Sequence, residues 1–293
     1  MSRAEYLALG GQFSVVFDKE AVYECAERYQ AWLRKNRLSD INDIAVRAWQ
    51  NRGEKEYGFL VLDEVQDLTE KEILVLFSLL RNPLNFFLSG DVNQTVHATY
   101  FAPHRIHTLL MKSVPGTSGR DYEQMLHLDY RCARPIVDMA NRLIDIRKEA
   151  LRGDKHDQRY DGHDLAVAGR DASRPVLMEL ALEEKITVLF KASKRHYAAI
   201  LVSDEEAKAK LAELGLEQNV FTVSEFKGIE RDEIICWNLV SDNLREWNII
   251  TGRSRNSDVP NPYWLRYHFN RFYVAVTRAC SGVLFFEEKV LSN

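Results

Sequence analysis

Asp63 and Glu64 stand side by side at the end of an apolar run, Phe59-Leu60-Val61-Leu62, with Gln66 and Asp67 just after them. Four apolar residues bounded by polar ones read as a strand buried on both faces, as in a parallel sheet. Ligands of such sheets bind beyond the carboxyl ends of the strands. The two acids therefore fall where a phosphate chain and its metal are expected, one carboxylate holding Mg²⁺ while a polar neighbour directs water. The same letters also fit a strand end with two solvated acids ahead of a helix cap.

The chain around this pair has 293 residues, enough for one large or two small domains. With 46% hydrophobic and 28% charged residues it can bury a sizeable core and is not disordered. The 39 basic and 43 acidic side chains give a net charge of −4, so no global basic field announces nucleic acid, although a local groove is not excluded. Cys25, Cys132, Cys236 and Cys280 are scattered without a CxxC pair and read as reduced core or near-core thiols. The eight histidines show no ligand spacing. No apolar run reaches transmembrane length and the start lacks a signal-peptide core, so the expectation is a soluble cytoplasmic protein with no membrane partner.

The elements that must position the acids follow from periodicity. Phe13 to Phe17 reads as a short strand. Helical spacing runs from Lys19 to Trp49, broken at Ser39-Asp40, with Asp40 capping the second helix. A helix is expected over Glu70 to Leu80, stopped by Pro83, and a second buried strand over Phe86 to Ser89 leads into the tight polar turn Gly90-Asp91-Val92-Asn93-Gln94. Pro115, Gly116, Ser118 and Gly119 mark a linker over 112–124. Beyond it come a strand at Leu126 to Leu128, a helix at Ile136 to Arg147, and a surface loop over 148–174. Strands are expected at 176–180, 198–202, 221–223, 233–240 and 282–286, and helices at 183–195, 204–214 and 270–279. Residues 241–263 read as a loop.

Five segments in order resemble the superfamily 1 helicases of the UvrD/Rep type. Leu60 to Asp67 is similar to that family's DExxQD motif, and Gly90-Asp91-Val92-Asn93-Gln94 to its GDxxQ motif. Asp129-Tyr130-Arg131 followed by Ala140-Asn141 resembles NYRS with its downstream Ala-Asn. Thr222 to Glu230, with Lys227-Gly228-Ile229-Glu230, resembles TxHxxKGLEF. Tyr273 to Ala279 is nearly letter-perfect for the last motif. The resemblance implies an α/β fold, with a partial RecA-like domain over 1–115 followed by a second RecA-like domain over 120–293. It implies ATP and Mg²⁺ as cofactors, bound in a cleft between the domains, and single-stranded or partly duplex DNA as partner. By the same resemblance Asp63 holds the metal, Glu64 activates water and Gln94 senses the γ-phosphate from the first domain. Arg131 and Arg278 meet the developing charge from the second. Tyr130 lies near the base, Glu230 with Gly228 near the ribose, and Thr222 on the strand backbone. His97 and Tyr100 occupy the region where the family stacks bases.

The departures are as informative. No Gly-Lys dipeptide occurs anywhere in the chain, so the P-loop GxxxxGK[ST] that cradles phosphates in the family is absent. Asp129 replaces Asn, Cys132 replaces Ser, Ser224 replaces His and Arg231 replaces an aromatic. The interval from Arg131 to Thr222 is too short for the large inserted subdomain of the UvrD type, of which only 148–174 remains. The expectation is a C-terminal portion of an ATP-dependent helicase or translocase, inactive alone, with the Walker A segment upstream or on a partner polypeptide. The alternative is a non-catalytic helicase-like module that binds nucleic acid or protein. A partial first domain is also expected to leave apolar surface exposed.

Overall fold

The computed structural model describes residues 2–8, 18–96, 99, 124–151, 167–168, 182–251 and 262–288. The expected strands at 13–17 and 176–180, the linker residues 112–123, and His97 and Tyr100 lie outside the described residues. Two compact units divide the chain: Met1–Val92 with Thr99–Arg120, and Asn93–Ala98 with Asp121–Asn293. Both are mixed α/β.

The first unit begins with α1 (Arg3–Ala8), α2 (Lys19–Asn36) and α3 (Ile41–Gln50). Asp40 caps α3 as its sequence position implies, in a capping box with Asp43. Strands β1 (Leu60–Leu62) and β2 (Phe86–Leu88) pair in parallel, Val61 opposite Phe87. Between them runs α4 (Glu70–Ser78), started by a second capping box, Thr69 with Glu72. Leu88 and Phe77 pack on Val65 and Ile73 to form the local core. The expectation of a strand buried on both faces is corrected here. Phe59, Val61 and Phe87 are 58%, 64% and 57% exposed. Side chains alternate across a strand; among the described residues one face of this pair meets the local core, and these three on the other are open.

The second unit is built on a parallel sheet of order β6-β5-β7-β8, formed by β5 (Ala198–Val202), β6 (Val220–Thr222), β7 (Arg231–Trp237) and β8 (Ala279–Phe286). Its period-2 alternation sorts two cores. Ala199, Leu201, Ile234, Cys236 and Val283 join one core, which includes residues of α5 (Arg134–Ala150), α8 (Leu244–Ile250) and α9 (Pro262–Thr277). Ala198, Ile200, Val202, Ile235 and Trp237 join the other, with residues of α6 (Leu182–Ser193) and α7 (Glu205–Glu213). Every residue of β5 is buried, as a parallel strand covered on both faces requires. Each fully buried Leu, Ile or Phe contributes about 1.5–3 kcal/mol.

Several boundaries differ from the sequence reading. The loop expected over 241–263 contains α8, because Trp247 and Ile250 are spaced to bury together, with Trp247 edge-on to Phe269 and Phe272. Strand β7 ends at Trp237, where Asn238 turns the chain at φ +53°. Helix α9 starts earlier, at Pro262, and β8 begins at Ala279, where the helix was expected to continue. The short strand near 126 is β3 (Leu128–Asp129), and it pairs in parallel with β4 (Val167–Ala168) inside the stretch read as a surface loop. All four cysteines are free, but Cys25 is exposed on α2 and belongs to no core. No described helix is long and apolar enough to cross a membrane.

Candidate functional site

In the first unit the carboxyl end of β1 delivers Asp63 and Glu64 into solvent, and both are exposed. Asp63 Oδ1 accepts the Ser89 hydroxyl at 2.6 Å and the Glu64 N–H at 2.9 Å. No bond among the described residues takes up its Oδ2. Glu64 stands at φ +52°, ψ +39°. That left-handed conformation costs an L-residue about 1–2 kcal/mol and persists only where the surroundings impose it.

Beside it Gln66 is fully buried, and its amide nitrogen donates to the Glu64 carboxylate. The Gln66 amide oxygen accepts the Asp91 N–H at 3.1 Å, and its carbonyl accepts the Thr99 hydroxyl at 2.7 Å. Gly90 completes the fit: a Cβ there would lie 2.5 Å from Gln66 Oε1 and 2.9 Å from Val65 Cγ1. The DExxQD-like and GDxxQ-like segments are thus locked together by the buried glutamine and a required glycine. Sequence reasoning gave Gln66 and Ser89 no role, although Gln66 stood inside the motif.

In the second unit the turn after β3 presents Tyr130, 77% exposed, and Arg131. Asp129 Oδ1 accepts the N–H groups of both Arg131 and Cys132 at 2.8 Å. A carboxylate oxygen serves this turn as an amide oxygen would, so Asp129 fits the position where the resembled motif has Asn. Cys132 fills the core, and burial first of all pushes its thiol up to about 11. Arg131 pairs with Glu230 at 3.6 Å, so the structure brings together two of the residues singled out by sequence. Burial pulls the Arg131 pKa down, but contacts with Cys132, Asp129 and Glu230 outweigh it and hold the group above its ordinary value.

The end of β6 and the turn after it carry Thr222, Gly228 and Glu230. Thr222 is 6% exposed. Its hydroxyl accepts the Glu225 N–H at 3.2 Å while the Glu225 carboxylate accepts the Thr222 N–H at 2.8 Å. This reciprocal T-x-x-E pairing was legible in the sequence and went unread. Lys208 holds Glu225 at 2.7 Å, and with the Thr222 contacts it keeps that carboxyl below the usual range. Gly228 adopts φ +81° with open space around it, so the turn demands glycine for its backbone and not for close packing.

Arg278, between α9 and β8, is 2% exposed and donates through Nη2 to Gln94 Oε1 at 2.8 Å. Gln94, expected with the first domain, lies in a segment that packs with the second unit. Two further residues hold that segment and were missed. Arg147 on α5 donates to Asn93, and Asn270 on α9 donates to the Thr95 carbonyl at 3.0 Å. Arg147 occupies the apolar stripe that runs through Ala140 and Ile144, and a charge in such a stripe was the available signal.

No protein-family model matches the chain. Among curated proteins it is 26% identical over 208 residues to human TPR and ankyrin repeat-containing protein 1, covering 64% of this chain and 7% of that protein. It is 28% identical over 127 residues to the ATP-dependent DNA helicase Rep of Buchnera aphidicola subsp. Schizaphis graminum, covering 40% of this chain and 19% of that one. The chain therefore spans less than a fifth of the length of either. Among solved structures it is similar to the helicase of PRRSV, with 15% identity, a TM-score of 0.40, and coverage of 78% of this chain and 34% of that one. A complex of Arterivirus nonstructural protein 10 (helicase) with DNA gives 11% identity, a TM-score of 0.41, and coverage of 81% and 41%.

Proposed function

We propose that these residues form part of an ATP-dependent DNA helicase or translocase of the UvrD-like superfamily 1 type. The observation that carries this reading is the pair of exposed carboxylates at the end of a parallel strand, fixed by Ser89 and Gln66. A hard oxygen donor with one oxygen untaken suits Mg²⁺, which is held by one or two carboxylates, with phosphate and water completing its shell.

Asp63 is assigned to the metal and Glu64 to the water. Bound Mg²⁺ would neutralise charge on the phosphates. Arg131 and Arg278 are assigned to the phosphate chain, because a guanidinium is always charged and grips phosphate oxygens in a fork, and Gln94 to the γ-phosphate through its neutral amide. Tyr130, open to solvent, is assigned to the base, and Glu230 to the ribose. Thr222 is assigned to the strand backbone: its hydroxyl accepts the Glu225 N–H and keeps its own proton to donate to a phosphate.

The 293 residues contain no GxxxxGK[ST]. Without that cradle of amides and lysine the triphosphate lacks its main anchor. We infer that turnover requires a P-loop from a polypeptide outside these residues. The second reading, a non-catalytic module, draws on the same absence. Fluorescence anisotropy of a labelled single-stranded oligonucleotide tests the strand partner. Binding that weakens as salt rises is expected, and no binding at low salt would sink the DNA assignment.

A further inference from the structure

The geometry points to Arg147 and Asn270 as positioning residues that hold Gln94 against Arg278, an inference that rests on reading Gln94 and Arg278 as the phosphate-sensing pair. Residues 93, 95 and 96 are each fixed separately. Arg147 Nη1 donates to the Asn93 side-chain oxygen and lies 3.5 Å from Asn270 Oδ1. The Asn270 amide nitrogen then donates to the Thr95 carbonyl at 3.0 Å. Val96, 2% exposed, fills the apolar core of the second unit. Gln94 lies between these anchors, and its side-chain oxygen accepts from Arg278.

Arg147 is only 4% exposed, Asn93 4% and Asn270 1%. Burying a guanidinium is costly and is seldom the most stabilising choice for a core position. An aliphatic residue would fill the same stripe of α5. What Arg147 supplies is a planar fork whose nitrogen reaches two acceptors on different elements. Asn270 sits two turns before Arg278, on the helix that leads to it. The residues that seat Gln94 and the residue that meets it therefore share one framework. A phosphate that takes Arg278 Nη2 must share it with the Gln94 amide oxygen or displace that oxygen.

The test is NMR of the ¹⁵N-labelled 293-residue chain, following the Gln94 side-chain amide and the Arg278 Nε–H, first without nucleotide and then, with a polypeptide bearing a superfamily 1 P-loop segment added, with MgATP titrated to millimolar concentration. Arg147→Met is expected to move both signals in the absence of nucleotide, and Arg147→Lys to restore them in part. MgATP should shift the Gln94 amide of the parent chain. Its apparent Kd should rise about tenfold in Arg147→Met, an order of magnitude typical of one lost polar anchor. In a Gln94→Ala background the same Arg147→Met change should leave the Kd unaltered. Unmoved Gln94 and Arg278 signals in Arg147→Met would overturn the positioning role, and so would an equal loss of affinity in the Gln94→Ala background. If MgATP moves no signal in the parent chain, the phosphate-sensing reading fails instead, while the nucleotide-free spectra still decide whether Arg147 seats Gln94.

Discussion

At the scale of single residues, Gly90 and Gln66 form the tightest constraint in the first unit. Gly90→Ala would push its Cβ into Gln66 Oε1 and break the bond to the Asp91 N–H. A loss of about 1–3 kcal/mol in urea denaturation is expected. Gly53→Ala, with nothing within 4 Å, should change stability by less than about 0.5 kcal/mol. Equal effects would show that the packing of the two segments is not limiting. His268 supplies a pH dependence. Burial, opposed by Glu246 and aided by Arg271, holds its imidazole below the ordinary value. As pH falls below about 6.5 the unfolded chain takes up a proton that the folded chain refuses. Stability is therefore lost from there down to the lowered native pKa, and the parent chain should lose more between pH 7 and 5 than His268→Gln. Parallel pH curves for the two would contradict the assignment.

At the scale of elements, the strands and helices around the acids were largely legible and the surroundings less so. Asp40 announced α3, and the apolar runs at 60–62, 86–88 and 198–202 announced β1, β2 and β5. Helix α8 was hidden because its seven residues bury only Trp247 and Ile250, too few turns for periodicity to register. The buried Gln66, Asn93 and Asn270 could not be read, because whether an amide is buried is decided by which elements converge on it. Nor could the sequence tell that β1 has one open face, since a continuous apolar run reads the same whether or not both sides are covered. The open face has its own consequence. Replacing Phe59, Val61 and Phe87 together by Thr should leave stability within about 1 kcal/mol, since exposed positions contribute little. The same triple change should lower binding of a hydrophobic dye and lower self-association. A large loss of stability would mean that these side chains are buried in solution.

At the scale of the whole molecule, the residues assigned in the proposed function divide between the two units. The first unit offers Asp63 and Glu64 on a strained, hydrogen-bonded turn. The second offers Arg131 with Glu230, and Arg278 with Gln94. A binding module has no chemical need for this whole set, which is why the motor reading is preferred to the module. The measurement that tests it most directly is ATP hydrolysis with single-stranded DNA present, by the 293-residue chain alone and then with a polypeptide bearing a superfamily 1 P-loop segment, each beside Glu64→Gln. The account expects no turnover by the chain alone, strand-stimulated turnover once the P-loop polypeptide is added, and loss of that turnover in Glu64→Gln. Turnover by the unaided chain, or turnover indifferent to Glu64→Gln, would contradict it.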